Sequence, residues 1–241
     1  MIKFDMLHIY HDNKNDVSLS GITFKENGKT NNNEESKESL ITYIGETSLV
    51  INDDNKIKKE YDIKNNDELY MITFLCSNLK EMYDKLKQNG IKVTTPLYTT
   101  RLNALLIPCK TKFQYMYVMP FKNSKFKICF REIDTSTDLL NYQKAMIPNS
   151  AEKDIVGVKE IKLYLNLTND DLEILSKIFD NSYLDGNEFS AEIYQNQTLT
   201  ITNSKEQKSE ILFEVRGKVF KGKEINIKGN NEEKRNITFI Y

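Results

Sequence analysis

The stretch that decides the fold is residues 72–93, which read ITFLCSNLKEMYDKLKQNGIKV. It begins as an apolar strand and ends as a second one. Between them apolar residues recur every three or four positions from Leu79 to Leu86, which is the spacing of one helix face. Ser77 is the predicted N-cap and Gly90 the predicted end of this helix. The stretch therefore predicts a strand, an amphipathic helix and another strand.

Strand patterns surround this unit. Residues 2–11 alternate between apolar and polar side chains, as a half-buried strand does. SLITYIGETSLVIND at 39–53 predicts a hairpin that turns at Gly45. FQYMYVMPF at 113–121 and KFKICFREI at 125–133 predict a closing pair of strands. In the last of these, alternation places Lys127, Cys129 and Arg131 on the face opposite Phe126, Ile128 and Phe130.

The pattern then restarts, which defines the domain organisation. Residues 1–133 are predicted to form a first β-α-β-β-β module, with a polar insertion at 12–39. Residues 134–154 are predicted to be a linker, with a short helix over 139–145. Residues 155–241 are predicted to form a second module, whose helix is capped by Thr168 or Asn169 and is followed by short strands.

The first strands of the two modules match. MLHIYHD at 6–12 aligns with EIKLYLN at 160–166, which pairs Leu7 with Ile161 and Ile9 with Leu163. If helices cover the apolar face of each sheet, the opposite faces line whatever the two sheets enclose. The fold class predicted is α+β, with two β-α-β-β-β modules in tandem that form a cupped mixed-sheet cleft.

Composition limits the partners and the compartment. Lys+Arg (34) and Asp+Glu (35) nearly cancel, giving a formal net charge of -1 and a pI near 6.2. The chain therefore lacks the broad positive field that holds a polyanion, and nucleic acid is not expected as a partner. No apolar run approaches the ~20 residues that span a bilayer, and charges near the start interrupt any signal-peptide core. A cytoplasmic location without a membrane partner is expected. Cys76, Cys109 and Cys129 predict neither a disulfide framework nor a metal knuckle.

Two such modules with matching first strands resemble the vicinal oxygen chelate (VOC) superfamily, the fold of glyoxalases, bleomycin-resistance proteins and extradiol dioxygenases. The order of motifs is most similar to its glyoxalase-like branch. The resemblance covers most of the chain and rests on the order of the pieces more than on any one of them. The matching pieces are FDMLHI (4–9), LITYIGETSLVI (40–51), residues 72–93, MYVMPFKNSKFKICFRE (116–132) and PNSA (148–151).

The resemblance implies a divalent metal such as Zn, Ni, Mn or Fe, held by His and Glu side chains from the first and last strands of the modules. There it would act as a Lewis acid on a substrate with adjacent oxygens. This chain has Asp5-Met6 where the family has Asp-His, and Ile147 where relatives often carry a histidine. A thioether is a poor ligand for a hard ion. The remaining candidate metal ligands are His8, Glu132 and Glu160.

Without a metal, the predicted cleft face of the sheets still has the chemistry of a binding site. Basic side chains there favour a carboxylate or phosphate, and tyrosines supply walls for an organic ligand. The competing interpretation is that these are solvated positions on a shallow face. His11, at the end of the first strand, is expected in solvent. The predicted ligand-binding residues are His8, Tyr10, Lys127, Arg131, Glu160, Lys162 and Tyr164.

The leading functional hypothesis is a glyoxalase-like protein that binds a small anionic or oxygen-rich metabolite in the cleft between the modules. Whether it is an enzyme stays open. One alternative is a metal-dependent lyase, isomerase or dioxygenase of the superfamily. Another is a sequestering protein like the bleomycin-resistance members, working as a homodimer. A third is a non-catalytic interaction protein that uses residues 12–39. No nucleophilic triad and no glycine-rich phosphate loop is found in the sequence.

Overall fold

A computed structural model gives the structure of the chain. It describes residues 2–14, 17, 22, 24–26, 39–64, 67–103, 109–118, 121–134, 155–194, 196–215, 224–225 and 237–240. The predicted helix at 139–145, the PNSA motif, and most of the predicted linker and polar insertion lie outside these residues. Within them, no helix is long and apolar enough to cross a membrane.

The described residues of the first half form one mixed sheet with two helices. In space its strands follow the order β2-β3-β4-β1-β5-β8-β7-β6. Helix α1 (Asn55–Glu60) connects β4 to β5, and helix α2 (Leu79–Gln88) connects β5 to β6. The strands are β1 (Ile2–Tyr10), β2 (Lys25–Glu26), β3 (Leu40–Ile44), β4 (Thr47–Asn52), β5 (Glu68–Cys76), β6 (Leu97–Asn103), β7 (Cys109–Val118) and β8 (Lys127–Asp134).

The second half forms another mixed sheet, with the order β10-β11-β12-β9-β13-β15-β14. Helix α3 (Asn169–Ile178) follows β9. The strands are β9 (Ile155–Leu165), β10 (Ser182–Asp185), β11 (Glu188–Glu192), β12 (Thr198–Asn203), β13 (Lys208–Val215), β14 (Glu224–Ile225) and β15 (Ile237–Ile240).

Two complete β-α-β-β-β units are present, which confirms the predicted fold class. They are β5-α2-β6-β7-β8 and β9-α3-β10-β11-β12, and in each unit the last strand pairs in parallel with the first. Part of the same connectivity occurs twice more, because β4 pairs in parallel with β1 and β15 with β13. In each sheet the first strands of two such repeats therefore pair in antiparallel fashion at the centre. These pairs are β1 with β5 and β9 with β13.

The register of these central strands supports the repeat seen in the sequence. The pairing of β1 with β5 skips Asp5, and the pairing of β9 with β13 skips Lys159. The alignment of Leu7 with Ile161 puts these two bulges at the same position of each repeat. A bulge adds one residue and bends its strand, so both halves bend their central strand at the same point.

The helix ends follow from side-chain caps. Asn78, one residue after the predicted Ser77, is the N-cap of α2, and its side chain accepts from the Glu81 amide at 3.0 Å. Asn extends far enough to cap from an extended backbone. Helix α3 begins with Thr168 and Asp171, which cap each other's amides in a capping box.

The larger of two apolar clusters lies between the two sheets and contains residues of both. The cluster includes Leu7 and Phe74 of the first sheet, Ile161 of the second, and the buried faces of α2 and α3. Phe179, at the end of α3, lies 5.3 Å from Phe74 and 6.0 Å from Phe189, measured between ring centroids. The apolar faces of the sheets are thus turned towards each other.

This packing changes where the polar faces lie. The sequence pattern predicted that they face each other across a shared cleft, but the structure places them on the two outer sides of a common core. The reason is the amount of large apolar surface, above all phenylalanine, whose burial outweighs any gain from a polar cavity at that position.

A close approach at one edge fixes how the halves meet. Gly45 turns the hairpin between β3 and β4 with a φ of +60°, and a Cβ there would lie 2.2 Å from the carbonyl oxygen of Val156. Only glycine fits both the left-handed backbone and this contact. Gln207 also donates to Glu68 at 2.6 Å between the two halves.

Candidate functional site

The candidate site is the outer side of the first sheet, which we call the His8 face. Strand register sets its side chains in rows across β1, β5 and β8. In one row His8 pairs with Met71, and Met71 with Lys127. In the next row Thr73 stands between Met6 and Cys129.

An ion pair lies on the floor of this face. Arg131 Nη2 approaches Asp5 Oδ1 at 2.7 Å, reaching from β8 to the bulge of β1. The two side chains are only 17% and 11% exposed. Because the pair is largely shielded from water, its electrostatic effect on neighbouring groups is stronger than that of a surface pair.

His8 lies beside this pair, with Nε2 3.0 Å from Thr73 Oγ1. Burial, together with the positive charge of Arg131, lowers the pKa of His8 to about 3. The imidazole is therefore neutral at physiological pH. Such a ring offers one donor and one acceptor but is a weak base.

Helix α1 covers part of the His8 face. We call residues 53–63 the α1 cover. The Tyr61 ring lies 4.6 Å from the Tyr70 ring, and the Lys127 ammonium lies 4.3 Å from the centre of Tyr61. Lys127 also forms an ion pair with Glu60. Ile63 is buried against the same cluster, which contains Tyr10, Tyr70, Met71 and Cys129.

Burial keeps one thiol and three tyrosines of this face neutral. Burial raises the pKa of Tyr117 and of the Cys129 thiol to about 12 each. Burial also raises the pKa of Tyr61 and Tyr70 well above the ordinary tyrosine value. No activated thiolate or phenolate results. Cations beside neutral aromatic rings are an arrangement that can hold an anion and an organic ring.

The structure brings some of the predicted site residues together and separates the others. His8, Lys127 and Arg131 share the His8 face. Tyr10 is buried at the edge of that face and donates to Asp12 Oδ1 at 2.9 Å.

The other three predicted residues lie on the outer side of the second sheet. Glu160 accepts from Thr200 at 3.4 Å and lies 3.9 Å from Lys162 Nζ. The Lys208 ammonium lies 4.3 Å from the centre of the Tyr164 ring. The apolar core separates these residues from the His8 face, so the predicted set of seven does not form one site.

The candidate metal ligands do not meet either. Glu132 faces the core side of β8, where its Oε2 accepts from the Leu79 amide at 2.7 Å and so caps the start of α2. Glu160 lies on the second sheet and His8 on the first. Over the described ranges, no group of three or more His, Cys, Asp or Glu side chains could hold an ion. The residues present do not fit the divalent metal that the resemblance implies.

His11 corrects another expectation. It is 3% exposed instead of solvated, and its Nδ1 lies 2.7 Å from Asp67 Oδ1. Its backbone amide donates to the Asn52 carbonyl, which extends β1 by one residue into the folded base of the α1 cover. A strand end next to a long polar segment gave no indication of this burial.

A hollow of about 350 Å³ lies on the surface of α2, away from the His8 face. Side chains of α2 and its N-cap line it, with Lys80, Glu81 and Asp84 among them. It is framed by one helix only, and its charges of both signs do not converge on a point. It has none of the features of a binding site.

The α1 cover was not predicted from the sequence. Residues 55–60 read NKIKKE, which has a single apolar residue and no amphipathic stripe. The available signals were the N-cap Asp54, whose side chain accepts from the Lys56 amide, and the helical spacing of Ile57 and Tyr61.

Solved structures with the same fold exist at low sequence identity. A hypothetical protein from Staphylococcus aureus superposes with a TM-score of 0.71 at 14% identity, over 99% of each chain. A catechol 2,3-dioxygenase superposes with a TM-score of 0.52 at 11% identity, over 87% of this chain and 69% of the dioxygenase chain. A fusion of a xylose isomerase-like TIM barrel with 4-hydroxyphenylpyruvate dioxygenase gives 0.52 at 13% identity, over 87% of this chain and 36% of its own.

No protein-family model matches the chain, and no curated protein matches it by sequence. At these identities the structural likeness shows the fold alone. The chain shares its fold with the catechol 2,3-dioxygenase and with the 4-hydroxyphenylpyruvate dioxygenase fusion protein. A shared fold does not determine function, which depends on the residues of the site.

Proposed function

We propose that this chain is a glyoxalase-like protein of VOC fold that binds a small anionic, oxygen-rich metabolite on the His8 face of its first sheet. The observation that carries the proposal is the position of Lys127 and Arg131. Both are cations from β8, both are largely buried, and both lie among tyrosines on one face. Within the chain Arg131 is paired with Asp5 of the same sheet, whereas Lys127 is paired with Glu60 of the α1 cover, outside the sheet.

The polar groups of the face suit recognition of a carboxylate or phosphate. Asp5 holds the planar Arg131 guanidinium in a fixed orientation, and a guanidinium matches the geometry of carboxylate and phosphate oxygens. Thr73 and the neutral His8 add hydroxyl and imidazole partners for ligand oxygens. Tyr115 and Tyr117, whose ring centroids are 5.6 Å apart, add an aromatic wall beside β8.

The same groups favour binding over catalysis. A histidine with a pKa near 3 is a weak general base, and a thiol with a pKa near 12 is a weak nucleophile. The reactions of the two dioxygenase neighbours are theirs and carry no residue over to this chain. Cytoplasmic location, homodimer formation and the absence of nucleic-acid partners stay predictions.

The test is titration of the purified protein with pyruvate, benzoate and inorganic phosphate, by calorimetry and thermal shift. Lys127→Gln should weaken binding of the tightest of these anions at least about tenfold. Lys125→Gln removes the same charge from an exposed neighbour and should leave the affinity unchanged. Equal affinities in both variants, or no binding of any of the three anions, would overturn the proposal.

A further inference from the structure

The α1 cover is an addition to the first half that the fold does not require. In the first sheet, residues 53–67 connect β4 to β5. The equivalent strands of the second sheet, β12 and β13, are connected by residues 204–207 alone. Since the second sheet has the same central strand order with this short connection, sheet formation does not need the cover.

The helix of the cover, α1, is held by contacts outside itself. Helix α1 has six residues, none of them buried, and helices this short are not stable by themselves. Its charged contacts are Glu60 with Lys127 and Lys58 with Asp12. Glu60 is 58% exposed whereas Lys127 is 18% exposed, so an exposed carboxylate neutralises a largely buried cation.

Two consecutive residues of the cover occupy the face as a ligand would. Glu60 supplies a carboxylate to Lys127. Tyr61 supplies a planar ring, placed between the Tyr70 ring and the Lys127 ammonium, and its hydroxyl lies 3.7 Å from Met71 Sδ. One short segment thus brings an anion, a ring and a hydroxyl to the cation and the aromatic wall of the site.

We infer that Glu60 and Tyr61 are an internal occupant of the binding site, and that the ligand is a small aromatic carboxylate that displaces them. This inference rests on the proposed function and adds the ligand class and a lid. The ligand's carboxylate takes the place of Glu60 on Lys127, and its ring takes the place of Tyr61 on Tyr70. Binding competes with closure of the cover, so the observed affinity is reduced by the fraction of molecules that are closed.

The experiment compares three probes on three proteins. The probes are 4-hydroxyphenylacetate, which carries both ring and carboxylate, acetate, which lacks the ring, and 4-methylphenol, which lacks the carboxylate. The proteins are the wild type, Glu60→Gln and Asp62→Asn. Asp62→Asn is the matched control. Asp62 lies two residues after Glu60 and carries the same charge, but its carboxylate faces Lys64 and not Lys127. Its left-handed backbone is one that asparagine also adopts.

Calorimetry should show that Glu60→Gln binds 4-hydroxyphenylacetate about tenfold more tightly than the wild type does. Asp62→Asn should match the wild type, and acetate and 4-methylphenol should bind more weakly to all three proteins. Hydrogen exchange should accelerate in the amides of residues 57–61 when 4-hydroxyphenylacetate binds the wild type, because the cover is displaced.

Different failures have different meanings. Suppose that Glu60→Gln gains no more affinity for 4-hydroxyphenylacetate than Asp62→Asn does, while the wild type binds anions through Lys127. The inference of an internal occupant is then overturned and the proposed function stands. Slower exchange in residues 57–61 on binding also overturns it, since the probe would then lie on a closed cover. If acetate binds as tightly as the ring-bearing probe, the aromatic class is wrong. If no protein binds any anion, both proposals fail.

Discussion

Phe179 meets Phe74 edge to face, with 5.3 Å between the ring centroids. Phe179 ends α3 of the second half, whereas Phe74 belongs to β5 of the first half and also stacks on Phe130 at 5.6 Å. The aromatic cluster therefore crosses the boundary between the halves. Since edge-to-face pairs add to the free energy gained from burial, this cluster couples the stability of one sheet to that of the other.

Replacing Phe179 by alanine should destabilise both halves together. The expected loss in free energy of unfolding is about 3–5 kcal/mol, the usual cost of a buried Phe→Ala change. Urea unfolding followed by circular dichroism should show one transition at a lower midpoint. Tyr183→Ala, which removes a side chain that is 69% exposed, is the control and should change little. Two separate transitions in the wild type would contradict the coupling.

Gly45→Ala and Gly186→Ala form a matched pair. Both glycines have a left-handed backbone, with φ of +60° and +58°, so both substitutions meet strain of about 1–2 kcal/mol. Only at Gly45 does the new Cβ collide with the Val156 carbonyl. We expect Gly45→Ala to cost about 1–3 kcal/mol more than Gly186→Ala in urea unfolding. Equal losses would mean that the halves separate easily at this edge.

Glu132 is expected to stabilise α2 and not to bind metal. Glu132→Ala removes the acceptor of the Leu79 amide and should cost about 1–2 kcal/mol. Glu132→Gln keeps an acceptor oxygen and should lose less. Glu173→Ala, at an exposed position of α3, serves as the control. A metal-ligand role predicts the opposite result, namely unchanged stability of the metal-free protein and a lower metal content in both Glu132 variants.

The pKa of His8 gives the protein a defined pH dependence. The unfolded histidine has a pKa near 6.5, whereas the folded one has a pKa of about 3, so between these values the unfolded state binds one more proton. The free energy of unfolding therefore falls as pH is lowered through this window, by up to about 1.4 kcal/mol per pH unit from this group. His8→Gln should show a shallower decline from pH 6.5 to 4.5 in urea unfolding. Parallel curves would show that the imidazole is not enclosed.

Much of the fold could be predicted because local patterns determine it. The apolar spacing from Leu79 to Leu86 predicted α2, and alternation placed Lys127 and Arg131 on the face opposite Phe130, as the structure shows. The match of residues 6–12 with 160–166 identified equivalent central strands. Residue pairing across a sheet depends on strands that are far apart in sequence, so the repeated connectivity within each half needed the structure.

The candidate site was predicted only in part. Alternation tells which residues share a face of a sheet, but it does not tell which face meets the other sheet. That choice depends on the total apolar area buried, and it separated Glu160 from His8. The α1 cover was missed for a different reason, since NKIKKE at 55–60 is ordered by contacts with Tyr70 and Lys127 and not by its own pattern.

The pair of His11 and Asp67 has a mechanical consequence for the α1 cover. Both side chains are almost fully buried, and their bond fastens the far end of residues 53–67 to the end of β1. At the near end, Lys14 contacts Asp53 at 3.4 Å. If the α1 cover opens as we infer, these two contacts keep its ends in place and the sheets stay intact. The opening frequency is therefore set by a few local contacts, and additives that raise the melting temperature of the whole protein should leave it nearly unchanged.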